Sequence, residues 1–473
     1  MRKTKILCTL GPSSNDPETI GRLLDSGMDA VRLNFSHGDH AVQAATIEAV
    51  QAAARERDRG VPIVADLQGP KVRTGRLEGG GPIPIKAGDS LRLTAEQCLG
   101  NATKVSIDYP SLAQDVRPGF RILLADGAVQ LLVERIDGED VLCQVLNDGD
   151  LGERKGVNVP EATMRLPSIT AKDKADLEFA LGHGVEYIAQ SFVRRSEDVR
   201  LCKSMIEWSQ NHAHVIAKIE KPQALDDLEG ILEFADGVMV ARGDLGVELN
   251  PWQVPIAQKH IIEEAARWRK PVITATQMLE SMIESPSPTR AEASDVANAV
   301  FDGTDAVMLS GETAVGRFPV EAVAMMDKIV RAAEENLKRA RLDLPGAPEA
   351  EDGFSMEVAH SAARLAEQLH ARYIVVYTQT GFSARLISKH RPTCPVLALS
   401  PYPDVCRRAK LLWGVRARQI DEVRDLDELV ERIDKLTVGL GWVKPGDVLL
   451  IVAGTPFRVR GRTDLVKLHR IGE

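Results

Sequence analysis

The stretch Asp236-Gly-Val-Met-Val-Ala-Arg-Gly-Asp-Leu-Gly-Val-Glu248 decides the fold. Residues 238–241 are a short, wholly apolar run, the pattern of a strand buried on both faces. The run breaks at a glycine and an acid, Asp244. Just upstream, Val215-Ile-Ala-Lys-Ile-Glu220 is a second such run, ending with a lysine and a carboxylate two residues apart. Residues i and i+2 of a strand share a face, and neighbouring parallel strands lie roughly 4.8 Å apart. If these two strands are adjacent, Glu220 and Asp244 can grip one cation with Lys218 beside it.

The same plan recurs along the chain, eight times in all. Residues 4–10 run into Gly11-Pro12, and residues 28–35 carry Arg32, Asn34 and then Ser36 in alternation. Further runs stop at Asp66, Ser191, Thr276 and Ser310-Gly311-Glu312. Amphipathic helical stretches separate them. Asp16-Pro17 opens one helix and Gly27 closes it. Thr289-Arg-Ala-Glu292 is a capping box that opens another. Eight β-α units with functional groups at the carboxyl ends of the strands predict a TIM (β/α)8 barrel. The rival is a doubly wound sheet, which rarely places polar side chains after every strand.

The rhythm stops after Asp66-Leu-Gln-Gly-Pro70 for about a hundred residues, a length that suits one small domain. Asp126-Gly127, Asp137-Gly138 and Asp148-Gly149 read as hairpin turns, and Lys86-Ala-Gly-Asp89 and Arg117-Pro-Gly119 as further turns. A small β-barrel lid inserted in the top face of the larger barrel is expected. Helical rhythm resumes near Ile169, and a polar Pro/Gly-bearing linker, residues 341–353, ends the barrel. Apolar runs at 373–377, 396–399 and 448–452 then predict an open α/β domain. The expected division is 1–68 with 168–342 for the barrel, 69–167 for the lid and 343–473 for the carboxyl-terminal domain.

Composition narrows the function. The chain has 473 residues, 44% hydrophobic and 27% charged, ordinary for a globular protein. A net charge of −9 offers no basic footprint, so no nucleic-acid partner is expected. The six cysteines are scattered singly, which argues against a zinc knuckle or a disulfide frame and for reduced thiols in a cytoplasm. No targeting segment opens the sequence and no apolar run approaches a membrane span, so no membrane partner is expected.

At this point the motifs resemble the pyruvate kinase family from end to end. They are Arg32-Leu-Asn-Phe-Ser-His-Gly38, Lys218-Ile-Glu220, residues 239–248, Thr274-Ala-Thr-Gln-Met278 and residues 295–313. The resemblance implies a glycolytic phosphotransferase that moves phosphate from phosphoenolpyruvate to ADP, giving pyruvate and ATP. It also implies a homotetramer regulated through its carboxyl-terminal domain.

Phosphoryl transfer needs neutralised charge and positioning more than covalent catalysis. Arg32 offers a planar fork to the phosphoryl group, and Lys218 can stabilise charge on it as it migrates. Glu220 and Asp244 are hard oxygen ligands that suit Mg²⁺, or Mn²⁺. The ordinary alternative for these acids is ion pairing with Lys218 and Arg242. By resemblance, backbone N–H groups of Gly243 and Asp244 hold the substrate carboxylate, and Thr276 lies at the substrate. Thr276 and Ser310, acting through ordered water, are the candidates for delivering the proton to the enolate. Arg73 and Lys155 of the lid, with His37 and Asn34, are implied nucleotide neighbours. His212-Ala-His214 resembles a metal pair but lies at a strand start, on the stability face of a barrel.

Two departures from the family pattern bear on regulation and ions. Many members hold K⁺ with residues matching Asn34, Ser36 and Asp66, and have Glu where this chain has Lys71. Lys71 is expected to replace the ion, so K⁺ is not required. The loop Thr378-Gln-Thr-Gly-Phe-Ser383 corresponds to the family's effector loop, implying Thr378, Gln379, Thr380, Gly381 and Ser383 as effector contacts. Gln379 and Phe382 stand where members that respond to fructose 1,6-bisphosphate carry positive charge. A sugar monophosphate or AMP is therefore the expected effector. Two rival readings are a Mg²⁺-dependent lyase or aldolase on the same barrel and a non-catalytic metabolite sensor. The first leaves the lid and Lys218 unexplained; the second would be signalled by loss of Lys218, Glu220 or Asp244, all of which are present.

Overall fold

The computed structural model describes residues 2–162, 164–337, 353–457 and 461–473. Eight parallel strands form a closed barrel: β1 (Lys5–Thr9), β2 (Ala30–Asn34), β3 (Ile63–Asp66), β4 (Tyr187–Val193), β5 (His214–Ile219), β6 (Gly237–Ala241), β7 (Val272–Ala275) and β8 (Ala306–Leu309). β1 pairs with β2 on one side and closes the ring on β8, in a register running from Lys5↔Ala306 to Cys8↔Leu309. That closure excludes the doubly wound sheet. Every residue of β1, β3, β4, β6, β7 and β8 is buried, as strands covered on both faces require. The helix signals operate as read. Asp16 accepts the Thr19 N–H at 2.8 Å, and Gly27 stops that helix at a positive φ of 123°. Thr289 and Glu292 cap each other reciprocally.

Between β3 and β4 the chain builds the lid around its own apolar cluster, which includes Leu91, Val105, Ile122 and Leu131. Strands Val157–Asn158, Arg121–Leu124, Val129–Asp137, Asp140–Val145, Ser90–Thr94 and Lys104–Ser106 lie side by side in that order, and only the last pair is parallel. Ile83–Ile85 pairs separately with Gly149–Leu151. Asp126-Gly127 and Asp137-Gly138 do turn hairpins between sequential strands. Asp148-Gly149 does not. Gly149 enters a strand opposite Ile85, and the Asp148 carboxylate accepts the Ala87 N–H instead.

The carboxyl-terminal domain is a five-stranded sheet of β9 (Tyr373–Tyr377), β10 (Val396–Ser400), β11 (Val415–Gln419), β12 (Val448–Ala453) and β13 (Leu465–Arg470). Their spatial order is β11-β10-β9-β12-β13, with only β13 antiparallel. Of the expected linker 341–353, only Gly353, the first residue of helix Gly353–Gln368, falls within the described residues. This domain seats on the amino-terminal end of the barrel. Leu411 is 1% exposed and belongs to the apolar layer inside the barrel, with Leu7, Val64, Tyr187 and Met239. The Tyr187 hydroxyl donates to the Arg408 carbonyl at 3.0 Å. Lys389 pairs with Asp305, at the foot of β8, at 2.7 Å.

Candidate active site

The carboxyl ends of β2, β3, β4 and β5 converge on one buried carboxylate, Asp66. Arg32 Nε donates to it at 2.6 Å, Lys218 Nζ lies 3.2 Å away, and Ser191 Oγ donates at 3.2 Å. The register explains the meeting, because Asn34 faces Asp66 across β2 and β3 and Ala189 faces it across β4. Burial works against ionisation of Asp66, but Arg32 and Lys218 outweigh it and hold the carboxyl below its ordinary range. Arg32 Nη1 donates to the Thr9 hydroxyl at 3.0 Å.

Lys218 is buried and points into this cluster. Its Nζ donates to Ser191 Oγ at 2.7 Å and lies 2.8 Å from Glu220 Oε1. Burial disfavours the ammonium, yet Asp66 and Glu220 overcome that and raise its pKa above the ordinary lysine value. Glu220 accepts the Phe192 N–H at 2.7 Å through its other oxygen. Burial, reinforced by Asp244, pushes the Glu220 carboxyl up.

Asp244 makes no side-chain hydrogen bond or ion pair among the described residues, and it lines a cleft of about 690 Å³ under the lid. A free hard-oxygen ligand beside a second carboxylate fits Mg²⁺, which commonly takes one or two carboxylates plus substrate oxygens and water. Among the described residues no group of three or more His, Cys, Asp or Glu side chains could hold a metal, so Glu220 and Asp244 are a two-carboxylate candidate that leaves the other positions to substrate and water. The alternative pairing holds for Lys218 with Glu220 but not for Arg242. Arg242 turns away to Asp295 at 2.8 Å and to the carbonyls of Ala275 and Thr276 at 3.1 and 2.6 Å.

Arg242 thereby fixes the backbone of Thr276, which sits at φ 73°, a region that β-branched residues avoid. Gly243 packs against that threonine. A Cβ on Gly243 would come within 2.7 Å of Thr276 Cγ2, so glycine is needed for close approach rather than for a left-handed turn. Ser310 donates its N–H to the buried Glu312 at 2.7 Å, and Glu312 also accepts the Leu279 N–H at 3.0 Å. No hydrogen bond joins Ser310 to Thr276 among the described residues, although the strands they follow are paired.

In the lid, Arg73 bridges Gly156 and the Thr74 N–H donates to the Lys155 carbonyl, so Arg73 and Lys155 lie on neighbouring chains. His37 is exposed beyond β2, and the Asn34 side chain accepts the Ser36 N–H at 3.1 Å. Lys71 is not brought to Asn34, Ser36 or Asp66 by any hydrogen bond or ion pair among the described residues. It is exposed at the hinge, with its ammonium 5.6 Å over the Phe192 ring. Asp66 pairs with Arg32 and Lys218. The loop 378–383 lines a cavity of about 290 Å³ with Tyr377, Phe457 and Arg462. Thr378 Oγ1 accepts the Gly381 N–H at 3.0 Å, Ser383 meets Thr463 at 2.6 Å, and Gln379 donates to the Phe457 carbonyl at 2.7 Å.

Sequence reasoning named Ser191 only as a strand end and missed Thr9, Phe192 and Arg462. Ser191 had a usable signal, since it ends β4 as Asp66 ends β3. Phe192 had none, because it acts through its backbone.

Residues 1–323 match the family described as pyruvate kinase, barrel domain, and residues 356–469 the family described as pyruvate kinase, alpha/beta domain. The chain belongs to the pyruvate kinase family. It is 43% identical to the pyruvate kinase of Mycobacterium intracellulare, over 100% of this chain and 99% of that one. It is also 43% identical to that of Geobacillus stearothermophilus, over 100% of this chain and 81% of that one. A crystal structure of a pyruvate kinase from Cryptosporidium parvum superposes with a TM-score of 0.93 at 39% identity, covering 99% of this chain and 96% of that one. Pyruvate kinases are glycolytic phosphotransferases that carry phosphate from phosphoenolpyruvate to ADP, and this chain is an enzyme of that kind.

Proposed function

We propose that the Arg32–Asp66–Lys218–Glu220 cluster at the barrel mouth performs this transfer. The observation that carries the reading is the convergence of Arg32 from β2 with Lys218 and Glu220 from the end of β5, beside the partner-free Asp244. Arg32 uses Nε and Nη1 to fix itself, which leaves Nη2 for a phosphoryl oxygen. Lys218 stays an ammonium and neutralises charge developing on the phosphoryl in flight. Backbone N–H groups at Gly243 and Asp244 receive the substrate carboxylate. Glu220 and Asp244 would hold Mg²⁺, or Mn²⁺, which when bound neutralises phosphate charge. Thr276 and Ser310, through ordered water, deliver the proton to the enolate. Arg73, Lys155, Asn34 and His37 serve the nucleotide as the lid excludes water.

The working units of this reading are 1–68 with 168–342, 69–167 and 343–473. A sugar monophosphate or AMP fits the effector loop, where Arg462 is the one cation lining the cavity among the described residues. K⁺ is not required, because Arg32 and Lys218 already neutralise Asp66 and Lys71 and Lys221 add positive charge at the Phe192 ring. Among the described residues no helix is long and apolar enough to cross a membrane. The glycolytic role and the singly scattered cysteines support a place in the cytoplasm. A homotetramer is supported by exposed Trp252 and Ile256 on the barrel and by Val466 and Leu468 on the edge strand β13. One coupled assay tests the core of the proposal. Pyruvate should form from phosphoenolpyruvate, ADP and Mg²⁺, and its absence with active-site-intact protein would reject the reading.

A further inference from the structure

Among the described residues, hydrogen bonds tie the lid to the barrel at its two hinges and across the cleft. At the first hinge the Gly69 N–H donates to Asp173 at 3.0 Å. At the second, Arg194 clamps the carbonyls of Met164 and Leu166, both at 2.9 Å. Across the cleft, Asn158 on the lid donates Nδ2 to Glu248 Oε1 at 2.6 Å. Glu248 is 5% exposed and lies at the end of the helix that carries Gly243 and Asp244. The same Oε1 takes the ammonium of Lys221, and Glu248 Oε2 is buried with no hydrogen-bond partner. One carboxylate oxygen therefore serves both the lid and a buried lysine.

Lys221 leads back to the chemistry. Its ammonium lies 5.6 Å over the Phe192 ring, and the hinge Lys71 lies 5.6 Å from the same ring. Phe192 is held at φ 55° and packs against hinge Gly69, where a Cβ would come within 2.8 Å of Phe192 Cδ2. Its N–H is the donor that orients Glu220. We propose that Glu248 is the latch carboxylate of the lid, a positioning residue that receives Asn158 on closure and, through Lys221 and Phe192, sets the orientation of Glu220. This rests on the reading of Glu220 as a metal ligand. It adds to that reading a physical link by which lid position and ion binding favour each other.

The latch is tested by reversing its polarity in the full-length enzyme. Asn158→Asp sets a carboxylate against Glu248. It should raise KM for ADP and the half-saturating Mg²⁺ concentration by about tenfold each, the scale of one lost hydrogen bond to a charged group. Amide exchange at the hinge, residues 67–74, should speed up in the presence of Mg²⁺ and ADP. The double variant Asn158→Asp/Glu248→Gln restores a donor and an acceptor in the opposite sense and should recover most of the ADP affinity and the hinge protection. A merely structural role for either residue predicts additive losses, so additivity in the double variant overturns the latch. Unchanged Mg²⁺ half-saturation in Asn158→Asp, with a raised value in Glu220→Gln, overturns the link to Glu220 and leaves the metal assignment standing. Unchanged Mg²⁺ half-saturation in Glu220→Gln itself overturns the metal assignment.

Discussion

At the scale of single residues, the chemistry depends on which charges stay on at neutral pH. Lys218 is buried, yet its two carboxylate partners raise its pKa, so it is an ammonium at neutral pH. Lys218→Ala should therefore lower kcat by at least about 10²-fold with little change in fold, since a preorganised charge acts mainly on the transition state. Single-turnover kinetics with an unchanged circular dichroism spectrum would check this, and a near-normal kcat would reject the role. Lys71 acts from farther away. It does not enter the cluster, but it places positive charge with Lys221 at the Phe192 ring, next to the hinge. An added monovalent cation near the hinge would meet repulsion from these charges, weakened by their distance. Substantial activity is expected with Mg²⁺ and tetramethylammonium as the only monovalent cation. Lys71→Glu should create a K⁺ requirement. A large rate increase on adding KCl to the unmodified enzyme at constant ionic strength would contradict both expectations.

At the scale of elements, Asp236 shows how loop charges hold strands in register. It precedes β6, accepts the Val215 N–H of β5 at 2.8 Å and pairs with Lys203 at 2.9 Å. Burial opposes its ionisation, but His214, Lys203 and the Val215 N–H prevail and hold the carboxyl down at about 2. His214 is itself pushed down to about 4 by burial and is neutral at pH 7, so Lys203 and the N–H carry the effect there. A carboxyl with a depressed folded pKa adds stability above its ordinary value near 4 and loses it as pH falls towards 2. Asp236→Asn should cost about 1–2 kcal/mol at pH 7, and the gap should close between pH 4 and 2. Urea midpoints of both proteins at pH 7 and pH 3 check it; a gap of equal size at both would refute the assignment. The sequence is legible wherever a local signal coincides with the final environment. The barrel strands are buried on both faces, so their apolar runs mark them, and their end residues mark the mouth. The edge strands β11 and β13 were missed because Arg416, Arg418, Lys467, His469 and Arg470 interrupt any apolar run, as edge strands do to resist pairing. The aspartate–glycine pair at 148–149 misled because a turn dipeptide does not reveal which strand its glycine will join. In the site, side chains at strand ends were readable. Phe192 and Arg242 were not, because they act on backbone groups that only the fold brings near.

At the scale of the whole molecule, the carboxyl-terminal domain reaches the chemistry from beneath. Helix Phe382–Lys389 begins in the loop proposed for the effector and ends at Lys389, whose ammonium pairs with Asp305 below β8; Ser310 follows at the other end of that strand. Arg462 lines the cavity at loop 378–383, while Gln379 and Phe382 bring no positive charge to it, which favours the proposed monophosphate. Titrations at subsaturating phosphoenolpyruvate should show activation by a sugar monophosphate or AMP, and strong activation by fructose 1,6-bisphosphate alone would contradict this. The mechanical contact is Leu411, which enters the barrel's inner layer against Leu7, Val64 and Tyr187. Because the strands around it pack at interior density, Leu411→Ala should leave a void that they cannot fill, at a cost of about 2–5 kcal/mol. If Leu411 only covered the barrel, its loss would be felt in the carboxyl-terminal domain alone. As a member of the barrel's own core, its loss should lower the melting temperature of the barrel by roughly 5 °C or more. It should also weaken the response to the effector, because the two domains then share less packed surface. Calorimetry with and without the activating phosphate reads both effects, and an unchanged melting temperature would show that the barrel's core does not depend on the domain below it.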